Sequence, residues 1–182
     1  ISPGTTRTPL NPEENRTMGT ESHEKHGNPS RTPAATGAPG DFDFLNGEWK
    51  IRNRRLQEGV WDEFDGEATV HSILNGLVSV EELRIPARDF SGMGLRVLDL
   101  GKKLWADYWV NGKAGVQYGP TWGSFVSGTG TWDSEDTDNG AAIIVRGVWD
   151  SITPDSCRWH QAVSRDGGNT WQENWIMHWT RA

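Results

Sequence analysis

At 182 residues, with a formal net charge of −7, 34% hydrophobic residues and eleven tryptophans, the chain has room for one domain and a tail, and its core must be built from few, large aromatic side chains. The first forty residues hold four basic and four acidic side chains, so the acidic excess falls on the remainder and argues against general nucleic-acid binding. One cysteine, Cys157, leaves no intramolecular disulfide, and no apolar run approaches the roughly 18 residues of a membrane span, so a cytoplasmic protein without a membrane partner is the expectation.

Residues 1–40 carry six of the nine prolines and few large apolar residues beyond Ile1, Leu10 and Met18. Such a segment buries too little surface to offset its ordering entropy. It reads as a disordered or loosely docked tail, a place where a second copy of the chain could be engaged to form a homo-oligomer. The domain is expected over 41–182.

Asp41-Phe42-Asp43-Phe44-Leu45-Asn46-Gly47 reads as one helical turn stopped by Asn-Gly. A first strand over 48–56 puts Trp49, Ile51, Asn53 and Arg55 on one face. Further strands are expected at 62–74, 77–85, 93–100 and 104–110, with Asn75-Gly76 and Gly101-Lys102 as turns. A Gly-rich connection over 111–120, a strand over 122–132, an acidic exposed loop over 133–140 and a strand over 141–149 follow. Gly128-Thr129-Gly130 reads as relief of crowding where a strand bends.

The chain ends in two aromatic runs, 157–164 and 171–179, around Arg165-Asp166-Gly167-Gly168-Asn169-Thr170, a strong hairpin signal. With Arg165 opposite Thr170, the register sets Gln161 opposite Asn174, Trp159 opposite Ile176 and His160 opposite Trp175. Eight to ten strands without a long helix predict an all-β, closed antiparallel barrel, with a β-sandwich as the alternative.

Gly47-Glu48-Trp49 at the head of the first strand resembles the Gly-x-Trp signature of the lipocalin (calycin) superfamily. That resemblance implies a lipocalin-like barrel in which Trp49 sits inside the closed end and Arg181, from the last strand, packs over it, a cation–π contact of about 1–2 kcal/mol when desolvated. Residues 41–49 together with 158–162 and 166–177 resemble an uncharacterised bacterial lipocalin-like domain family, which brings no settled catalytic residues and implies no cofactor. Ser164-Arg165-Asp166-Gly167-Gly168-Asn169-Thr170-Trp171 also resembles the Asp-box of sialidase propellers, a structural turn in which Asp166 would tie up backbone N–H groups.

For function, Gln161 and Asn174 share a face with Trp159 and Val163, and paired or not they offer donors and acceptors beside apolar neighbours. Arg55, Glu82, Arg96, Asp107 and Arg146 punctuate strands that should be half buried. The ligand-binding set is therefore Arg55, Glu82, Arg96, Arg146, Trp159, Gln161 and Asn174, suited to a small, partly polar organic ligand. An enzyme using the same cavity for proton transfer is the alternative. A weaker one is haem held through His160 or His178, as in nitrobindin, a calycin relative. His23 and His26 have a plausible metal spacing but no scaffold, so no metal site is expected. Glu81 and Glu82, adjacent on a strand, point to opposite faces and cannot act together.

Overall fold

The computed structural model describes residues 32–182. A 3₁₀ turn at Asp43–Leu45 precedes ten strands: β1 (Gly47–Gln57), β2 (Val60–Ile73), β3 (Val78–Ile85), β4 (Phe90–Asp99), β5 (Leu104–Asn111), β6 (Val116–Val126), β7 (Thr129–Asp138), β8 (Ala141–Asp150), β9 (Ser156–Ser164) and β10 (Gln172–Arg181). Each strand pairs antiparallel with its neighbours in sequence, and β1 closes on β10. No sheet edge is left at the β1–β10 seam, so the first and last strands offer no template for edge-to-edge association. No helix among the described residues is long and apolar enough to cross a membrane.

One end of the barrel is plugged by the chain that leads into it. Residues 32–40, expected as part of the tail, lie across this end: Gly37 N–H donates to Lys103 O at 2.8 Å, Gly40 N–H to Gly76 O at 2.9 Å and the Thr36 hydroxyl to Phe125 O at 2.8 Å. Expectations for residues 1–31, including an oligomer through the tail and the reading of His23 and His26 as no metal site, lie outside the described residues. The 3₁₀ turn then drops Phe42 and Leu45 into the plug, both buried. Phe42 meets Trp105 edge-on at 4.9 Å and Phe125 at 5.0 Å, and each such pair adds about 0.5–1.5 kcal/mol beyond the area it buries.

Trp49 is buried in the same plug, its indole N–H donating to Leu45 O at 2.6 Å. Because β1 pairs with β10 with Trp49 opposite Arg181, the Arg181 guanidinium comes to 4.0 Å from the centre of the Trp49 ring. From there it donates to Phe44 O at 2.8 Å, to Pro154 O at 3.1 Å and to Asn46 O. One side chain thus fastens the entry turn, the β8–β9 loop and the last strand together.

Two elements differ from the sequence reading. Residues 122–132 are not one strand: β6 and β7 meet at a tight turn where Ser127 and Gly128 have φ of 51° and 81°, and Gly128 turns the chain instead of easing a bend. Much of the expected connection (111–120) and acidic loop (133–140) is strand as well, in β6 and β7. In the last hairpin, Gln172 opposite Val163 and Glu173 opposite Ala162 keep the expected register, but a bulge at Asn174 then shifts it by one. Gln161 faces Trp175, Trp159 faces Met177 and His160 faces Ile176. The extra residue re-aims the rest of β10, so that Trp175, Met177 and Trp179 turn inward and Ile176 and His178 turn outward.

Candidate functional site

The barrel encloses a cavity of about 1200 Å³ that runs from the plug to the end opposite it. Its depth follows from strand alternation, because inward positions succeed one another from the deep end of each strand to its rim. The floor is set by Glu81 on β3, Arg96 on β4, Asp107 on β5, Trp149 on β8 and Trp179 on β10. The walls carry Leu83, Trp109, Trp132, Trp159, Trp175 and Met177. Around the mouth stand Arg55, Gln57, Arg88, Lys113, Tyr118 and Thr137.

The floor is charged although it is deep. Arg96 is 5% exposed and donates through Nη2 to Glu81 Oε2 at 2.5 Å, while Glu81 is itself 3% exposed. Arg96 also packs against two aromatic faces, 5.1 Å from the centre of Phe42 in the plug and 5.3 Å from that of Trp149. Burial works against its charge, and the carboxylates of Glu81 and Asp107 outweigh that, holding the guanidinium protonated. Its Nε lies 3.7 Å from Asp107 Oδ1, beyond hydrogen-bond reach, and neither Nε nor Nη1 has a hydrogen-bond partner among the described residues.

Asp107 is the less satisfied of the two floor acids. Its removal from bulk solvent raises its pKa to about 6, with the Arg96 charge pulling down and the Glu81 charge pushing up. The side chain retains 29% of its accessible surface, and as a lining residue it presents that surface to the cavity. Trp179, 1% exposed, lines the same floor, its indole N–H without a hydrogen-bond partner among the described residues, and meets Trp149 at 5.3 Å.

The expected binding residues divide between the two faces of the sheet. Arg55, Arg96, Trp159 and Gln161 line the cavity, Arg55 with its guanidinium 5.0 Å from the centre of the Trp175 ring. Gln161 donates to Asn174 Oδ1 at 3.1 Å, and Asn174, the bulge residue, supports Gln161 from outside the lining. Glu82 and Arg146 do not face the cavity. Glu82 is on the outer wall, accepting from Arg84 at 2.8 Å. Arg146 is also outside, bonded through two nitrogens to Asp133 at 2.7 Å and lying 3.9 Å over the Trp171 ring. The inward acid of the adjacent pair is Glu81, which shares the parity of Leu83 and Ile85, an apolar alternation readable from the sequence.

The histidines proposed for haem are on the wrong side of the wall. His160 packs outside between Asp150 and Glu173, 3.6 Å from each, and burial first, then Arg158, lowers its pKa. His178 is exposed on the outer face, and no histidine among the described residues lines the cavity. Cys157 is buried, and burial pushes its thiol up to about 12, so it is inert as a nucleophile. No cluster of three or more His, Cys, Asp or Glu among the described residues is arranged to hold a metal ion.

Outside the barrel mouth, Asp166 ties the last turn: it accepts from the Ser164 hydroxyl at 2.8 Å, the Asn169 and Thr170 amides at 3.0 and 2.9 Å and the Thr170 hydroxyl at 2.6 Å. The hydrogen bonds from Thr170 are the leading reason that its pKa falls to about 2.

No family model and no curated protein matches the sequence. Among solved structures, the chain is similar to that in "Crystal Structure of Rv2717c from M. tuberculosis", at 12% identity over 80% of this chain and 99% of that one, with a TM-score of 0.49.

Proposed function

We propose that the chain is a lipocalin-like (calycin) barrel that binds a small organic molecule, taken in through the mouth and held against the indole walls. The observation that carries this reading is the cavity itself: about 1200 Å³, above the roughly 300–1,000 Å³ of ordinary ligand pockets, with aromatic and aliphatic walls between a charged floor and a polar mouth. The lipocalin affiliation is supported by Gly47-Glu48-Trp49 and the Arg181 clamp over Trp49. Arg55, Trp159 and Gln161 are the proposed contacts along the walls and mouth, and Arg96 the contact at the floor.

Gly147 provides a direct test. It lines the cavity beside Trp159, and a Cβ placed there would meet that ring at an ordinary 3.5 Å, so a longer side chain projects into the space without disturbing the wall. A neutral arene, 1-methoxypyrene, is expected to quench tryptophan emission of the unaltered protein saturably, and Gly147→Leu to weaken that binding by about tenfold or more, the scale of a lost apolar contact surface. Equal affinity for both proteins would show that the arene binds elsewhere and would overturn the reading. Native mass spectrometry of freshly purified protein against its denatured mass would identify a co-purifying ligand directly.

A further inference from the structure

The floor of the cavity holds an acceptor with unused hydrogen-bonding capacity. The unpartnered donors beside it, Nε and Nη1 of Arg96 and Nε1 of Trp179, are shut away on side chains 5% and 1% exposed. The Asp107 carboxylate is open: its side chain keeps 29% of its surface, and among the described residues its one polar contact is the 3.7 Å approach of Arg96 Nε. Leaving such a group unpaired in a buried site costs about 1–3 kcal/mol, so a partner that donates to it gains most of that back.

Charge narrows what the partner can be. Glu81, Arg96 and Asp107 together sum to one excess negative charge when both acids are ionised. A carboxylate or phosphate head would reach Arg96 but would stand beside two carboxylates. An ammonium head would pair with Asp107 but would face the guanidinium. A neutral hydroxyl does neither: its O–H donates to Asp107 and it brings no charge to the floor. The body that such a hydroxyl belongs to is set by the walls, where Trp149 and Trp179 at the floor and Trp159 and Trp175 above them form edge-to-face pairs at 5.3 and 5.7 Å. Rings of this kind receive a planar aromatic edge or face.

Resting on the binding reading above, we infer that the ligand class of this barrel is a neutral hydroxyarene, a fused or linked aromatic whose phenolic hydroxyl donates to Asp107 at the floor. The hydroxyl supplies orientation and selectivity, since a site built to pair a hydroxyl rejects an analogue that lacks the donor. The arene body supplies the burial.

Three probes with one body and different heads test this: 1-hydroxypyrene, 1-methoxypyrene and 1-pyrenecarboxylate, each titrated at about pH 7 by quenching of tryptophan emission. The expected order on the unaltered protein is hydroxyl tightest, with the methyl ether and the carboxylate each weaker by about tenfold or more, as for loss of one hydrogen bond to a charged group. Asp107→Asn is expected to shrink the advantage of the hydroxyl and to tighten the carboxylate probe, because one of the two facing negative charges is gone. Equal affinity of hydroxyl and methyl ether for the unaltered protein, or an unchanged ranking in Asp107→Asn, would overturn the assignment while leaving the binding barrel standing. Failure of all three probes to bind would overturn both.

Discussion

Asp107 shows at the scale of one residue how a binding floor is held at a cost to the fold. Its folded pKa of about 6 stands above the ordinary 3.8, so the folded state holds a proton that the unfolded chain releases between those values. Below about pH 4 both states are protonated and the group is neutral to stability; stability then falls as pH rises towards 6, and the full penalty is present above it. Asp107→Asn removes the charge and keeps the shape, so it is expected to stabilise the protein by about 1–3 kcal/mol at about pH 7.5 and by almost nothing at about pH 3.5. Urea unfolding of both proteins at the two pH values measures this, and equal stability at the higher pH would mean that the carboxylate carries no penalty. Asp166 has the opposite sign: with its pKa lowered to about 2, its stabilisation is present above the usual carboxylate range and is lost as the pH falls from there through about 2. Both acids were in plain view in the sequence, with different legibility. Asp166 acts through residues within four positions of itself, which a local motif reveals, whereas Asp107 draws its character first from burial in the closed barrel and then from Arg96 and Glu81 on two other strands. The sequence alone leaves Glu82 as a cavity candidate because either member of an adjacent pair can be inside until the parity of Leu83 and Ile85 is applied.

At the scale of elements, the β6–β7 hairpin depends on a residue with no side chain. Gly123 pairs with Trp105 on one side and Trp132 on the other, and a Cβ there would lie 2.2 Å from Thr131 O and 2.5 Å from the Trp132 ring. A backbone carbonyl cannot swing away as a flexible side chain can, so Gly123→Ala must push the two strands apart, at about 3 kcal/mol. Gly128, two residues beyond Val126, has open space around it and only its φ of +81° to defend, and Gly128→Ala is expected to cost about 1 kcal/mol. Thermal unfolding of the two variants should rank them in that order; the reverse would mean that the hairpin can relax around Trp132. This hairpin was also the least legible element. Hydrophobic alternation marks a strand only where its inner face meets a dry core, and the outer half of β7, Ser134 to Asp138, lines the wide mouth or faces solvent and is polar on both faces. The bulge at Asn174 escaped for a different reason: turn chemistry sets register only as far as the ladder is regular, and one inserted residue exchanged His178 for Trp179 as the inward side chain. The stretch of β1 with a dry inner face, Trp49, Ile51 and Asn53, declared itself.

Over the whole molecule, stability and access are separated along the barrel axis. The plugged end carries the entry turn, the Arg181 clamp and the aromatic cluster of Phe42, Trp49, Trp105 and Phe125. At the mouth the wall itself loosens, because β6 and β7 are paired only from Gly123 to Val126 against Thr129 to Trp132. Beyond that stretch β6 remains on β5 as far as Val116 and β7 remains on β8 as far as Asp138, so two strands diverge and each keeps one bonded side. Amides that point across this divergence have no ladder partner, whereas their alternates on the same strands do. Native-state hydrogen exchange is therefore expected to show alternating protection in 116–121 and 133–138, with every second amide exchanging fast, and continuous protection in 123–126 and 129–132. Uniform protection along both strands would mean that the wall is sealed to the rim. The expected pattern would instead place the compliant part of the barrel beside Tyr118, Ser134 and Thr137, where a planar molecule wider than the rigid part of the mouth would need the wall to yield.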